Sequence, residues 1–173
     1  LSSGGHWALH VRGDNSAVYL AFLPARSSVL IAHFLLAADG SFTVTESEIT
    51  DPSSSAASVV AGPHPALGLS ASYTLSGSIA ADGTVSGSLA GLDDSLTGAL
   101  DSAPGPASAA AGFYLATALG SATGSTYTIV GTSGQALVVT TGDTSVDGAI
   151  GTVAADGTLT ATTATHGAQL ALA

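Results

Sequence analysis

The sequence predicts an all-β protein: an antiparallel meander of about a dozen short strands, closed into a β-barrel or a barrel-like sandwich. The tetrapeptide Ala-Asp-Gly-Ser/Thr occurs at residues 38–41, 81–84 and 155–158, each time between runs of alternating apolar and small polar residues. Asp-Gly in that setting is a strong hairpin signal because Gly accepts the positive φ of a tight, two-residue turn. The chain also has no Lys to protect sheet edges, which favours closure.

The first part of the chain predicts a four-strand meander. Apolar and polar residues alternate over 7–12, as in a strand with one buried face. The nearly continuous apolar runs 18–23 and 29–36 are typical of strands that are buried on both faces. Alternation around Phe42 and Val44 predicts a fourth strand, which ends near Glu48.

Further strands follow at intervals typical of barrels and sandwiches. Three of them place Gly77, Gly87 and Gly98 at core-facing positions, which predicts strong curvature or close backbone approach. Residues 51–66 are rich in Ser, Ala and Pro and are interpreted as a loop or a short helical cover, and residues 101–111 form a second stretch rich in Pro and Ala. The remaining strands are predicted at 73–79, 85–89, 96–100, 113–119, 127–130, 137–141, 146–153, 159–163 and 169–172.

The 173 residues are interpreted as one domain, 1–173, because this length supplies one sizeable core. Residues 6–48 and 112–164 form a candidate internal repeat, with the hairpins of 70–100 between them. Ser28-Val29 precedes Asp39-Gly40 at the spacing by which Ser145-Val146 precedes Asp156-Gly157. Shared low-complexity composition is the alternative explanation of this likeness.

Charge argues against two classes of partner. Charged residues make up 8% of the chain, and Arg12 and Arg26 are the only cations beside 12 acidic residues. A phosphate backbone requires clustered Lys and Arg, so nucleic acid is excluded, and an anionic lipid surface is disfavoured for the same reason. The longest apolar run, 29–38, is too short for a membrane-spanning helix, and we expect no membrane insertion.

One metal site is a candidate. The spacing Asp143-x-Ser145-x-Asp147-Gly148 matches the start of a calcium loop, in which alternate oxygen side chains converge on the ion. The twelfth position of that loop is Ala154 where an acidic ligand is expected. An acidic hairpin turn is therefore the alternative, and no other cofactor is predicted.

Support for catalysis is weaker than support for binding. The chain has no Cys and no Gly-x-Ser-x-Gly nucleophile elbow. Glu46 and Glu48 would lie on one strand face about 6.6 Å apart, a spacing that resembles glycosidase carboxylates, but a solvated strand end is favoured. His33, within an apolar run, is interpreted as a core histidine with a hydrogen-bond partner. A hydrolase site in the loops 46–66 and 101–111 remains an alternative.

Aromatic side chains are the candidates for ligand binding. Exposed Trp and Tyr rings form the platforms on which sugars stack, and the chain has few such rings. Trp7, Tyr19 and Tyr114 are the predicted ligand-binding residues, and a binding barrel would line its cavity with Trp7, Tyr19 or Phe22. A small ligand or a glycan is the ligand that this interpretation implies.

The C-terminal part resembles the Gly/Thr/Ala-rich β modules of large secreted bacterial surface proteins of the immunoglobulin-like-domain and adhesin type. The likeness depends on Gly112-Phe113-Tyr114, on residues 127–131 and 134–136, and on Val153 to Thr158. It implies a non-catalytic structural or adhesive module, secreted or at the cell surface, with neighbouring domains or a glycan as partner. Binding of a small ligand or glycan, and hydrolysis, are the alternative functions.

Overall fold

The computed structural model describes residues 1–50, 68–101, 104–105, 107–117, 124–142, 145–163 and 169–172. It confirms an all-β protein whose strands pair in antiparallel fashion along two meanders. The predicted closure into one barrel is wrong, since the strands form two separate sheets and the first only curls into a half-barrel. No helix among these residues has the length and apolar character needed to cross a bilayer.

The first sheet contains seven strands in sequence order. Its strands are β1 (His6–Val11), β2 (Ser16–Leu23), β3 (Ser28–Leu35), β4 (Ser41–Thr50), β5 (Gly68–Ile79), β6 (Thr84–Ala90) and β7 (Asp94–Ala99). The second sheet contains six strands, again in sequence order. Its strands are β8 (Gly112–Thr117), β9 (Gly124–Val130), β10 (Gln135–Gly142), β11 (Val146–Val153), β12 (Leu159–Thr163) and β13 (Gln169–Leu172). Two 3₁₀ turns, Pro24–Arg26 and Ser108–Ala110, accompany them.

The Ala-Asp-Gly hairpins have three-residue loops instead of the expected two. In the loop after β5, the Ala80 amide donates to the Thr84 carbonyl (2.8 Å) and the Gly83 amide donates to the Ala80 carbonyl (2.9 Å). Gly83, with φ of +84°, is therefore the third loop residue and takes the left-handed conformation. The Asp82 carboxylate accepts a hydrogen bond from the Thr84 amide (2.9 Å), and this bond lowers the pKa of Asp82.

Glycine permits the curvature of the first sheet. Gly77 and Gly87 face each other across β5 and β6. A Cβ on Gly77 would lie 2.3 Å from the Ser86 carbonyl oxygen and 2.8 Å from Phe42 Cζ. The predicted close approach is thus observed, because only Gly allows the two strands and the Phe42 ring to come so near.

Three hydrophobic clusters hold the two sheets. One fills the half-barrel and contains Tyr19, Tyr73 and Leu89, and a second lies between the sheets and contains Phe22 and Val139. The third lies on the other face of the second sheet. Every residue of β2 from Ala17 to Leu23 is buried, which confirms that the run 18–23 is covered on both faces.

His33 differs from its prediction as a core histidine. Its side chain is exposed on β3 and packs edge-on against Phe113 of β8, with 5.9 Å between ring centroids. Alternation turns the side chain of His33 away from the half-barrel, toward the margin where the second sheet ends. An apolar run therefore identified the strand correctly and the burial of this residue wrongly.

Candidate functional site

The candidate site lies on the open side of the half-barrel, between its edge strands β1 and β7, which we call the seam. In the part of the chain that the structure describes, each of these strands has a neighbour on one side only. Six antiparallel steps separate β1 from β7, so the two edges run parallel to each other. An up-and-down meander of seven strands cannot close on itself with an antiparallel pair.

Hydrogen bonding shows which backbone groups face the seam. The Arg12 amide donates to the Ser16 carbonyl (2.8 Å), so every second residue before Arg12 hydrogen-bonds to β2. The backbone amides and carbonyls of Trp7 and Leu9, which lie between those residues, point away from β2 and into the seam. On the other side of the seam, the Leu100 amide donates to the Gly83 carbonyl (2.8 Å) and thus points away from the seam. By the same alternation, Thr97 and Ala99 of β7 direct their amides and carbonyls into the seam.

The N-terminal segment closes one end of the seam. The Ser2 amide donates to the Ser95 carbonyl (3.0 Å), and the Ser2 hydroxyl donates to the Asp94 carboxylate. Ser3 donates to the same carboxylate from its amide (3.1 Å) and its hydroxyl (2.5 Å). Burial alone would raise the pKa of Asp94, but these hydrogen bonds, with the amide of Ser95, lower it to about 2.

Trp7 lies across the middle of the seam. Its ring stacks on the Tyr19 ring with centroids 6.2 Å apart and planes 25° apart. A Cβ on Gly98 of β7 would lie 2.7 Å from Trp7 Cζ2, so only Gly accommodates the ring at this point. Trp7 is half-buried and remains accessible from the groove that runs along the seam.

This seam groove has a volume of about 500 Å³. One wall is β1 around Trp7 and Leu9, the opposite wall is β7 from Thr97 to Asp101, and the second sheet supplies the floor with Gln135, Leu137 and Ile150. A second cavity of about 450 Å³ follows at the loop end of the half-barrel, and Leu100 lines both. Together they follow the seam beyond Val11.

Asp101 fixes the far end of the groove. Its carboxylate accepts hydrogen bonds from the Ser133 amide (2.8 Å) and hydroxyl (2.6 Å), and its carbonyl accepts one from the Thr132 hydroxyl (2.6 Å). These bonds connect the end of β7 to the loop between β9 and β10. Carboxylates therefore lie at both ends of β7, at Asp94 and at Asp101.

The predicted ligand-binding residues are divided between core and surface. Tyr19 is buried beneath Trp7, and burial raises the pKa of its hydroxyl, which has no hydrogen-bond partner among the described residues. Tyr114 is 49% exposed on β8, away from the groove, and donates to the Ala110 carbonyl (2.7 Å). Phe22 lies in the core between the sheets. Of the predicted aromatic residues, the groove itself presents Trp7.

The predicted calcium ligands lie between β10 and β11. Asp143 is outside the described residues, Ser145 is exposed just before β11, and Asp147 and Gly148 lie within that strand. The Asp147 carboxylate accepts a hydrogen bond from the Gly148 amide (2.8 Å). No three His, Asp or Glu side chains come together in the described ranges. The calcium site stays a prediction.

The two glutamates do not share a solvated strand end. Glu48 is fully buried, and its carboxylate accepts hydrogen bonds from Arg26 Nε (2.7 Å) and from a second guanidinium nitrogen (2.9 Å). Alternation along β4 places Glu46 and Glu48 on the same face as buried Phe42, as the strand pattern predicts, but Glu48 is covered while Glu46 remains half-exposed. Glu48 therefore belongs to a structural ion pair with Arg26, and Glu46 is a separate carboxylate.

Sequence reasoning missed the wall opposite Trp7. Thr97 and Ala99 contribute to the groove through backbone groups, and Asp101 contributes through its contact with a loop. No sequence motif marks either kind of contribution. The signal that was available is Gly98, a glycine at a core-facing strand position that marks the approach of a large side chain. Which side chain approaches it depends on the curl of the whole sheet.

Comparison of the chain with protein-family models, with curated proteins and with solved structures finds no match.

Proposed function

We propose that this protein is a non-catalytic extracellular adhesive module that holds its partner in the seam groove. The observation that supports the proposal is an accessible groove of about 500 Å³ beside Trp7, on a half-barrel whose interior is filled by buried side chains. A concave site with apolar walls and a few polar groups is the usual form of a binding site. The groove, and not the barrel interior, is the place for a ligand.

The chemistry of the groove supports binding rather than reaction. Its polar side chains include the hydroxyl of Thr97, the amide of Gln135 and the imidazole of His6, and the Asp101 carboxylate is already hydrogen-bonded to Ser133. No Lys or Arg lines it among the described residues, so the partner is neutral or cationic along this surface. A location outside the cell is part of the proposal and follows from the resemblance to surface modules.

The test measures adhesion of beads that carry the chain. Beads are washed under flow over two coated surfaces: mannan, a neutral polysaccharide, and reduced, iodoacetamide-alkylated lysozyme, an unfolded polypeptide. We expect retention on one of them, and loss of that retention with Trp7→Ala. Ile150→Ser is a second variant, because Ile150 lines the groove but is 45% exposed, so its replacement leaves folding intact.

The result is decided by comparison with the variants. Thermal melting of each variant first establishes that it is folded. Equal retention of wild type, Trp7→Ala and Ile150→Ser on both surfaces would show that the groove does not mediate adhesion and would refute the proposed function.

A further inference from the structure

We propose that the partner is an extended segment of a different polypeptide, which adds to the half-barrel as an eighth strand between β1 and β7. The inference rests on the proposed function and names the class of partner for the same groove. Addition of a strand to a free sheet edge is a general mode of peptide recognition, in which main-chain hydrogen bonds supply affinity.

The direction of the missing strand follows from the topology. Because β1 and β7 run parallel, one strand that runs opposite to them is antiparallel to both. A barrel of about eight strands has an interior just wide enough to be filled by its own side chains. The interior of this half-barrel is already filled by residues such as Tyr19, Tyr73 and Leu96, so the eighth strand would close the wall and leave the core unchanged.

The edges present the groups that such a strand requires. Trp7 and Leu9 on one side, and Thr97 and Ala99 on the other, direct their amides and carbonyls into the groove, and all four residues line it. The Ser2 amide, which lies in a turn, donates to the Ser95 carbonyl, so the β7 edge already accepts one backbone hydrogen bond at this end. From Thr97 to Asp101 the free edge accommodates about five extended residues, or about 16 Å.

Charge identifies the sequence that fits. Asp101 lines the groove with an exposed carboxylate, whereas Asp94 is buried and hydrogen-bonded to Ser2 and Ser3, and no Lys or Arg lines the groove in the described ranges. The segment that complements Asp101 is uncharged along the seam and has a Lys or Arg at its N-terminal end, which lies beside the end of β7 when the segment runs antiparallel to it. This chain has no Lys, Arg12 lies in the loop after β1, and Arg26 is bound to Glu48. The partner is therefore a different polypeptide and not a second copy.

The probe is a synthetic peptide with the sequence of β6, residues 84–90, and one added Lys at its N-terminus, the end that lies beside Asp101 in the antiparallel arrangement. This sequence already pairs antiparallel with β7 and alternates apolar and small polar residues. Trp7 is the only Trp in the chain, so its fluorescence reports on the groove directly. We expect a saturable change in Trp7 emission and slower hydrogen exchange at the amides of Leu9, Thr97 and Ala99, by about tenfold or more.

The decisive variant is Thr97→Pro. It removes the amide that faces the seam and leaves the pairing of β6 with β7 intact, as Pro at a free edge permits. We expect Thr97→Pro to keep its melting temperature and to lose the peptide. Thr97→Ala, which keeps the amide, controls for the loss of the side chain and should bind the peptide. A peptide with Glu in place of the added Lys should bind more weakly, because the Glu would lie beside Asp101.

Each remaining outcome overturns the inference. These outcomes are no binding at about 1 mM peptide, unchanged binding by Thr97→Pro, and a Trp7 response without amide protection. Concentration-dependent dimerisation that Thr97→Pro abolishes would make a second copy the occupant instead. Retention of beads on mannan alone would leave the adhesive function intact and refute the strand, whereas loss of retention on both surfaces would remove the function itself.

Discussion

Replacement of Gly148 by Ala should disrupt the packing of the two sheets against each other. A Cβ at Gly148 of β11 would lie 2.2 Å from Cγ, 2.5 Å from Cβ and 2.5 Å from Cδ1 of Phe22 on β2. Phe22 is 1% exposed, and its Cβ moves only with the backbone, so the ring cannot swing aside. Overpacking of this kind costs about 1–3 kcal/mol, and we expect the free energy of unfolding to fall by about 3 kcal/mol.

The assay is urea unfolding and thermal melting of four proteins: wild type, Gly148→Ala, Phe22→Ala and the double variant. For a chain of this size, about 3 kcal/mol corresponds to a melting temperature lower by about 6–12 °C. Phe22→Ala alone should cost about 3–5 kcal/mol because it leaves a cavity. In the double variant the new methyl group occupies part of that cavity. The double variant should therefore lose less stability than the sum of the losses measured for the two single variants.

Additivity is the result that refutes this reasoning. If the double variant loses the sum of the two single losses to within about 0.5 kcal/mol, Phe22 and Gly148 are not in contact and the sheets do not pack as described. Gly13→Ala is the matched control, since a Cβ there meets nothing within 4 Å. Its free energy of unfolding should change by less than about 0.5 kcal/mol.

Three further predictions concern ionisable groups. Asp94 has a pKa of about 2 in the folded protein and an ordinary value of 3.8, so it should contribute about 2 kcal/mol of stability above pH 4 that disappears between pH 4 and pH 2. In Asp94→Asn, the free energy of unfolding measured with urea should depend less on pH over that range. A pH profile equal to that of the wild type would contradict the prediction. Arg26→Ala should lower the free energy of unfolding by about 3 kcal/mol, because it leaves the buried Glu48 carboxylate without its guanidinium partner. Glu48→Gln should lower it by less, because the Arg side chain that loses its partner is 40% exposed. Equal losses in the two variants would refute this asymmetry. If Asp143, Ser145 and Asp147 bind calcium, a chelator should lower the melting temperature, and an unchanged temperature would exclude the site.

The strands could be predicted from local patterns because alternation and turn chemistry act within a few residues. The loop that contains Gly83 confirms the hairpin signal, although the loop is one residue longer than expected, since Gly stands at its third position. The burial of Glu48 could not be predicted, because it depends on what covers this face of β4 in the folded sheet and on an Arg from a different turn. His33 was misassigned for the related reason that an apolar run does not show where the covering sheet ends.

The site was predicted only in part. Trp7 was recognised as a candidate binding residue, but its partner Gly98 is 91 positions away and meets it only because the sheet curls. Thr97 and Ala99 border the groove and direct backbone groups into it, and no sequence pattern identifies such groups because every residue except Pro has both a backbone amide N–H and a carbonyl. Tyr19 was predicted as a ligand-binding residue, and the structure places it in the core beneath Trp7, with its ring stacked on the Trp7 ring.

By itself, the sequence determined an all-β antiparallel chain, the position of its strands and the absence of a basic surface, because side-chain alternation, turn residues and charge are local or additive properties. The tertiary structure decided that the first sheet curls into a half-barrel without closing and that Trp7 borders the groove along its open side. Closure depends on strand number, curvature and the packing of the second sheet, which are sums over contacts between residues far apart in the chain.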